Sequence, residues 1–313
     1  MQLIMVLLGA ILGLAYGHFE EGFIFSSKIC LFAGLTLIMP TLFNVKLRDI
    51  TLLLDHKIVI MKGFLVNYLI IPLIALGIGL LTNSFGVAAG LFLLSVLSGG
   101  GMVMHWIKKS NADTSLGFIL LFINLLFVSL SLLMLHNFGI YTAEYFEESY
   151  SDEVNVSNFA NAVINLLIVV PFIVSRFVLF VKPIQNLIEK LQKYISSISI
   201  FIILFYLFGL QNSQMLFELY DFEPELIYIS IFAVLAFYLC IFIVSKLMFN
   251  LDSAQEKAAF WHSITRYITL ALVISTFTTM TFGISMILPI MFAYVVQIPF
   301  AIYMDKKVGI QEV

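Results

Sequence analysis

Long apolar stretches, separated by short polar connections, run through the whole chain. A helix needs roughly 20 apolar residues to cross about 30 Å of hydrocarbon. Ten stretches approach or exceed that length: 1–17, 26–43, 57–82, 86–108, 114–138, 156–181, 194–210, 226–248, 255–281 and 284–304. The pattern predicts an all-α, polytopic membrane protein with ten transmembrane helices.

Basic residues are unevenly divided between the two sides that this pattern defines. Fourteen of the sixteen Lys and Arg residues fall on the side that holds both termini, Lys28 falls on the other, and Arg266 lies within the ninth stretch. Because Lys- and Arg-rich short loops stay cytoplasmic, both termini are predicted to be inside the plasma (inner) membrane. Adding or removing one span in the middle would scramble this segregation.

Composition supports burial in a lipid bilayer. The chain is 61% hydrophobic and 11% charged, with a mean hydropathy of +1.06, whereas soluble domains are about half apolar and a quarter charged. Cys30 and Cys240 lie far apart in apolar runs, which predicts neither a disulfide nor a metal site. No basic cluster indicates nucleic acid as a partner.

The sequence carries no motif that indicates an enzyme. It has no Gly-x-Ser-x-Gly elbow, no His-Glu-x-x-His pair and no Walker loop. No cofactor is therefore predicted. Any uphill transport would have to draw on an ion gradient, with sodium or a proton as the coupling ion.

Ten spans divide into two halves of five, and an odd number inverts the second half relative to the first. The halves predicted are 1–138 and 156–313, joined by an acidic non-cytoplasmic linker at 139–155. Inverted repeats are a recurrent plan of secondary transporters, whose substrate site lies near the bilayer midplane beside broken helices.

The fourth stretch contains Ser98, Gly99, Gly100 and Gly101 in succession. Each glycine costs a helix interior about 1 kcal/mol relative to Ala. Exposed backbone at membrane depth is tolerated only beside protein or a water-filled cavity. The run predicts a broken helix that lines a substrate site; close helix packing through small residues is the alternative.

The ninth stretch carries Arg266 among Thr265, Tyr267 and Thr269. Arg266 lies about 10 residues from the cytoplasmic start, roughly 15 Å deep at 1.5 Å per residue. An arginine there is costly in lipid and is by default functional. With no intramembrane carboxylate in sight, an anion or backbone oxygens are the expected partners. A structural arginine bonded to helix carbonyls, or a snorkelling one, is the alternative.

Further polar residues in the spans are weaker candidates. Asn67, Asn124 and Gln297 could orient a ligand, although lone intramembrane amides more often join helices. His105 and His262 could carry a coupling proton, because imidazole titrates near physiological pH. For His105, an interfacial position beside the following lysines is the alternative.

Several stretches resemble the bile acid/sodium symporters and their relatives, the Cys-dependent arsenite-efflux permeases. The similar positions are 44–49 (Asn-Val-Lys-Leu-Arg-Asp), 67–73 (Asn-Tyr-Leu-Ile-Ile-Pro-Leu), Met102, Val103, Trp106, Asp113, Asn124 and 296–299 (Val-Gln-Ile-Pro). The resemblance implies ten spans in inverted halves whose fourth and ninth helices are broken and cross at the site. It also implies a core of spans three to five and eight to ten against a panel of spans one, two, six and seven.

The chain departs from that superfamily at its ligand positions. Gly99 stands where the arsenite branch has a cysteine, and Thr269 and Gln297 stand where it has glutamates. The sodium ligands of the symporter branch have no counterpart at 102–104, and Arg266 is an added charge in span nine. A fixed positive charge could thus take the place of a bound cation, which predicts transport with little sodium dependence.

Together these observations predict a secondary active transporter of a small organic anion, related to the bile acid/sodium symporters but with an atypical ion site. Its substrate would contact Ser98 to Gly101 and the polar residues named above. An arsenite or metalloid permease that lacks the usual cysteine, and a non-transporting membrane scaffold or sensor, are the alternatives. The substrate, the direction of transport and the oligomeric state stay open.

Overall fold

The computed structural model describes residues 2–20, 22–24, 26, 28–43, 55–100, 102–150, 165–210 and 224–309. Within these ranges the chain is helical, and the only β-type pairing is one isolated bridge. Gly101, the end of the predicted acidic linker and the start of the predicted sixth span lie outside the described residues.

The helices follow the apolar stretches along the chain. They are α1 (Gln2–Phe19), α2 (Lys28–Ala33, continued by a π-helical Gly34–Ile38 and by Met39–Leu42), α3 (Lys57–Leu80, with a π-helical Val66–Ile70), α4a (Phe85–Val96), α4b (Val103–Lys109), α5a (Thr114–Leu126), α5b (Val128–Thr142), α6 (Val170–Phe180, preceded by a π-helical Asn165–Val169), α7 (Lys182–Phe208), α8 (Pro224–Met248), α9a (Ala254–Ile264), α9b (Ile268–Phe282) and α10 (Ile287–Gly309, preceded by a 3-10 turn at Ile284–Met286).

Local sequence sets where several helices begin. Ser84, Asp113 and Ser253 precede α4a, α5a and α9a, and each side chain accepts a hydrogen bond from a backbone N–H of the first turn. Such caps satisfy donors that a helix start would otherwise leave unpaired. These short polar residues therefore fix the entries into the apolar segments.

The lengths of the described helices fit a polytopic membrane protein. Three of them, α3, α8 and the stretch Ile284–Asp305, are long and apolar enough to cross a bilayer. The number rises to five if two bent pairs each count as one span: α5a with α5b, bent by 47°, and α6 with the start of α7, bent by 119°. Ten spans in two inverted repeats stay a prediction.

Two helices extend beyond the apolar stretches that predicted them. Helix α5b continues to Thr142. Helix α7 begins at Lys182, whereas its apolar part, Tyr194–Phe208, begins where the span was predicted. The early part of α7 exposes Ile184, Leu187 and Leu191, whose spacing makes one apolar face. Uniform hydropathy marks a buried or lipid-surrounded helix and misses such an amphipathic turn.

The helices pack in two groups. Helices α1, α2, α6 and α7 mainly contact one another, and α3 to α5 and α8 to α10 do the same. Between α1 and α7 the approach is close: a Cβ built on Gly9 would come within 2.8 Å of Phe201 O, and one on Gly13 within 2.6 Å of Phe205 O. Glycines four residues apart allow this contact. The division coincides with the panel and core that the resemblance implied.

Candidate functional site

The fourth apolar stretch is broken where its glycines lie. Helix α4a ends at Val96 and α4b starts at Val103. Between them Gly99 has φ +76° and Gly100 φ +139°, backbone conformations that glycine adopts without the steric penalty of a side chain. The break predicted at this run is therefore observed for Ser98 to Gly100.

The ninth stretch is also broken, and its break pairs with the first one. Ser98 and Arg266 form an antiparallel bridge. Gly99 N donates to Thr265 O at 2.9 Å, and Tyr267 N donates to Leu97 O at 2.9 Å. Each unwound segment thus satisfies backbone groups that the other leaves unpaired, which is what exposed backbone requires inside a membrane protein.

Gln297 on α10 stabilises this crossing by hydrogen bonds to the backbone of Arg266. Its Oε1 accepts from the backbone N–H of Arg266 at 2.6 Å and from the Tyr238 hydroxyl at 2.8 Å. Its Nε2 donates to Arg266 O at 3.3 Å. The side chain is buried, so this amide chiefly holds the unwound backbone, as the interhelical alternative expected.

The side chain of Arg266 is 1% exposed, which rules out the snorkelling alternative. Its Nη1 donates to Ser95 O at 3.0 Å, and its Nη2 donates to Asn67 Oδ1 at 3.1 Å and to Ser263 O. Among the described residues its Nε has no hydrogen-bond partner. Every one of these described acceptors is a neutral oxygen, so the positive charge is solvated by dipoles and is not cancelled by a carboxylate.

Two of those oxygens belong to helix ends. Ser95 lies in the last turn of α4a and Ser263 in the last turn of α9a. The carbonyl end of a helix carries a partial negative charge of about half a unit, which favours cations. The broken helices therefore direct two negative ends at one guanidinium.

His262, in the last turn of α9a, lies close to the crossing. Its Nε2 is 2.9 Å from Gly117 O, and its Nδ1 is 3.3 Å from Asn124 Nδ2. A carbonyl only accepts and an amide nitrogen only donates, so the bonds fit a neutral ring protonated on Nε2. His105 is elsewhere, on the exposed face of α4b beside Trp106.

A small cavity of about 50 Å³ borders the crossing. It is lined by both helix groups, with Leu37 and Ile200 from the panel and the other residues from the core: Gly99, Gly100, Met102, Val103, Thr265, Arg266, Tyr267, Ile268, Thr269, Tyr294, Gln297 and Ile298. The Thr269 hydroxyl lies 2.5 Å from the Tyr294 hydroxyl. Backbone, hydroxyl and amide groups therefore line a space between two separately packed bodies.

A larger cavity of about 750 Å³ lies among α3, α5a and α9a. Its walls are mostly apolar, its polar lining includes Asn67, Asn124 and His262, and Lys57 and Lys62 lie at the α3 start. Lys62 Nζ is 2.9 Å from Glu256 Oε1. Asn67, which accepts from Arg266, connects this cavity to the crossing.

The predicted site residues thus divide among several places. Seven border the small cavity and three border the larger one, whereas Ser98 is buried in the bridge and His105 is apart. Tyr294 and Tyr238 were not predicted. Tyr294 lies three residues before Gln297 on the same helix face, which was a usable signal. The carbonyls of Ser95 and Ser263 had no signal, because any residue supplies one.

A model of a known protein family matches the chain. The model described as Sodium Bile acid symporter family matches residues 29–218, more than half of the chain. No curated protein matches the chain.

Proposed function

We propose that this chain, which belongs to the sodium bile acid symporter family, is a secondary transporter of a small organic anion. Membership supports an integral membrane transporter of the symporter type, not an enzyme. The nature of the substrate and the place where it binds are our proposal.

The observation that carries the proposal is that the described hydrogen-bond partners of the Arg266 guanidinium are all neutral oxygens. A buried cation with neutral partners keeps its attraction for an anion, and the low dielectric of the surroundings strengthens that attraction. Arg266 is one of the residues that line the small cavity, and its Nε has no hydrogen-bond partner among the described residues. A bound anion would supply the negative charge that the described partners of Arg266 do not.

The start of α9b also favours a bound anion. Ile268 and Thr269, the first residues of this helix, also line the small cavity. A helix N-terminus carries a partial positive charge and favours anions. The hydroxyls of Thr269 and Tyr294 offer donors for a carboxylate or sulfonate, and Leu37 and Ile298 offer apolar surface for an organic body.

The size of the small cavity indicates how the substrate would enter. About 50 Å³ is far below the 300–1,000 Å³ of ordinary ligand pockets. Because the cavity lies between the two helix groups, separating them would enlarge it. Rocking of one group against the other is the motion that alternating access requires.

The test combines ligand binding with uptake. Purified protein is melted with a panel of small carboxylates, steroid anions and metalloids, and the ligands that raise its melting temperature are offered to proteoliposomes. We expect an organic anion to stabilise the protein and to be taken up, Arg266→Lys to retain part of the uptake, and Arg266→Ala to abolish it at equal reconstitution.

The other outcomes identify the alternatives. Stabilisation by a metalloid alone would favour a permease without the usual thiol; Cys240, the free cysteine among the described residues, lines neither cavity. Neither stabilisation nor uptake with any anion, in a protein that melts cooperatively, would favour a scaffold or sensor.

A further inference from the structure

We infer that the guanidinium of Arg266 fills a monovalent-cation site formed by Ser95 O, Ser263 O and Asn67 Oδ1, so that this protein carries a tethered cation where a symporter would bind a mobile one. The inference deepens the proposed function by naming its coupling, and rests on it for transport. The cation site itself can be tested by binding alone.

The oxygens around the guanidinium have the chemistry of an alkali-ion site. Hard cations prefer backbone carbonyl and amide oxygens. Nη1 and Nη2 of Arg266 contact three such oxygens on three different helices, α4a, α9a and α3. Ser263 O comes from the arginine's own broken span, whereas Ser95 O and Asn67 Oδ1 are brought to the guanidinium by α4a and α3, so the tertiary fold positions two of the three oxygens.

The backbone around these oxygens is irregular in a way that favours a cation. Ser95 and Ser263 belong to the negative ends of two half-helices, which in transporters commonly coordinate coupling ions. Asn67 belongs to the π-helical Val66–Ile70 within α3, and such π-turns frequently occur at functional sites. Each of the three oxygens therefore belongs to a helix end or to an irregular part of its helix.

The site has a route to the larger cavity. Asn67 lines that cavity, whereas Arg266 does not. Shortening the arginine side chain would consequently leave three oriented oxygens that water and small ions can reach past Asn67. The intact side chain occupies that position permanently, because it is covalently attached.

The first experiment uses the unmodified protein. Its melting temperature is measured in detergent with increasing sodium chloride, replaced by choline chloride at constant ionic strength. We expect no saturable, sodium-specific rise. A saturable rise, or anion uptake that disappears when choline replaces sodium, would overturn the inference.

The second experiment opens the site. Arg266→Ala should gain a saturable rise in melting temperature of about 2 °C or more with sodium or with millimolar guanidinium. Arg266→Met, which fills the space without charge, and the double variant Arg266→Ala, Asn67→Leu should show no such rise. A folded Arg266→Ala protein that responds to neither cation contradicts the inference. If that variant does not fold, the first experiment still decides.

The two proposals can fail separately. Cation binding that appears only in Arg266→Ala, with no anion uptake by the unmodified protein, would reject the proposed function and retain the tethered cation. Sodium-dependent anion uptake by the unmodified protein would reject the tethered cation and retain the proposed function.

Discussion

At Gly99 the absence of a Cβ atom allows the unwound backbone to lie close to α9a. Its φ is +76°, and a Cβ added there would lie 2.7 Å from His262 Nδ1. The residue therefore has two reasons to be glycine, one in its own backbone and one in its neighbour. The sequence indicated the first reason through the glycine run, whereas the second depends on α9a, which is distant in the chain.

Gly99→Ala tests this position. We expect a loss of about 1–3 kcal/mol of stability, because a positive φ and a contact with a buried ring both penalise the methyl group. Thermal melts in detergent measure the loss. Gly77→Ala is the matched control, since a Cβ at Gly77 meets no atom of the described residues within 4 Å and alanine favours a helix. Equal melting temperatures for the two variants would contradict the prediction.

Gln297→Glu tests the charge of the crossing. A carboxylate keeps the oxygens that accept from Arg266 N and Tyr238, loses the donor to Arg266 O, and adds a negative charge beside the small cavity. We expect anion affinity to fall tenfold or more, which corresponds to about 1.4 kcal/mol. Anion titrations followed by melting temperature measure it, and unchanged affinity would argue against a role for the local charge.

The surroundings of Arg266 could be predicted in part from the sequence. Its depth in the span and the lack of an intramembrane carboxylate predicted burial with an anion or backbone oxygens. The structure shows the oxygens: two carbonyls and one amide. Which carbonyls they are follows from how α3, α4a and α9a meet, and no local pattern encodes that meeting.

At the scale of elements, hydropathy located the apolar helices and glycine located the break in α4. The break in α9 at 265–267 contains no glycine; Thr265 adopts extended backbone there, and Arg266 forms the bridge with Ser98. It exists because the segment pairs with Leu97 and Gly99. A break in one helix that is stabilised by pairing with a break in another helix cannot be recognised from the residues of the first helix alone.

The contact of α1 with α7 provides the element-scale prediction. Gly13→Val should separate these helices, because even a Cβ at Gly13 would lie 2.6 Å from Phe205 O and overpacking typically costs about 1–3 kcal/mol. Melting temperature is the measurement. Gly77→Val, at an open position of α3, carries the same change without the contact, and an equal effect of both would reject the close approach.

At the scale of the whole molecule, the small cavity belongs to neither helix group alone. Leu37 and Ile200 face it from the panel, and the crossing faces it from the core. Because residues of both groups line this space, a movement of one group against the other would change it. A transporter that works by rocking should therefore be sensitive to bulk at this boundary and indifferent to equal bulk facing lipid.

Leu37→Trp tests that expectation. The indole would occupy the small cavity, and we expect uptake of the identified anion to fall at least tenfold while the melting temperature changes by only a few degrees. Leu73→Trp is the control, because Leu73 is 58% exposed on α3. Uptake that survives in Leu37→Trp would place the substrate path elsewhere.

The sequence by itself determined the membrane class, the approximate helix positions, the glycine break and the presence of a deep arginine. Each depends on composition or on neighbours within a few residues, and the family match agrees with the resemblance that short motifs carried. The tertiary structure decided how the two breaks pair, which oxygens surround Arg266, and how the candidate residues divide between two cavities. Those features depend on contacts between residues far apart in the chain, such as Arg266 with Ser95 and with Asn67, which local patterns do not specify.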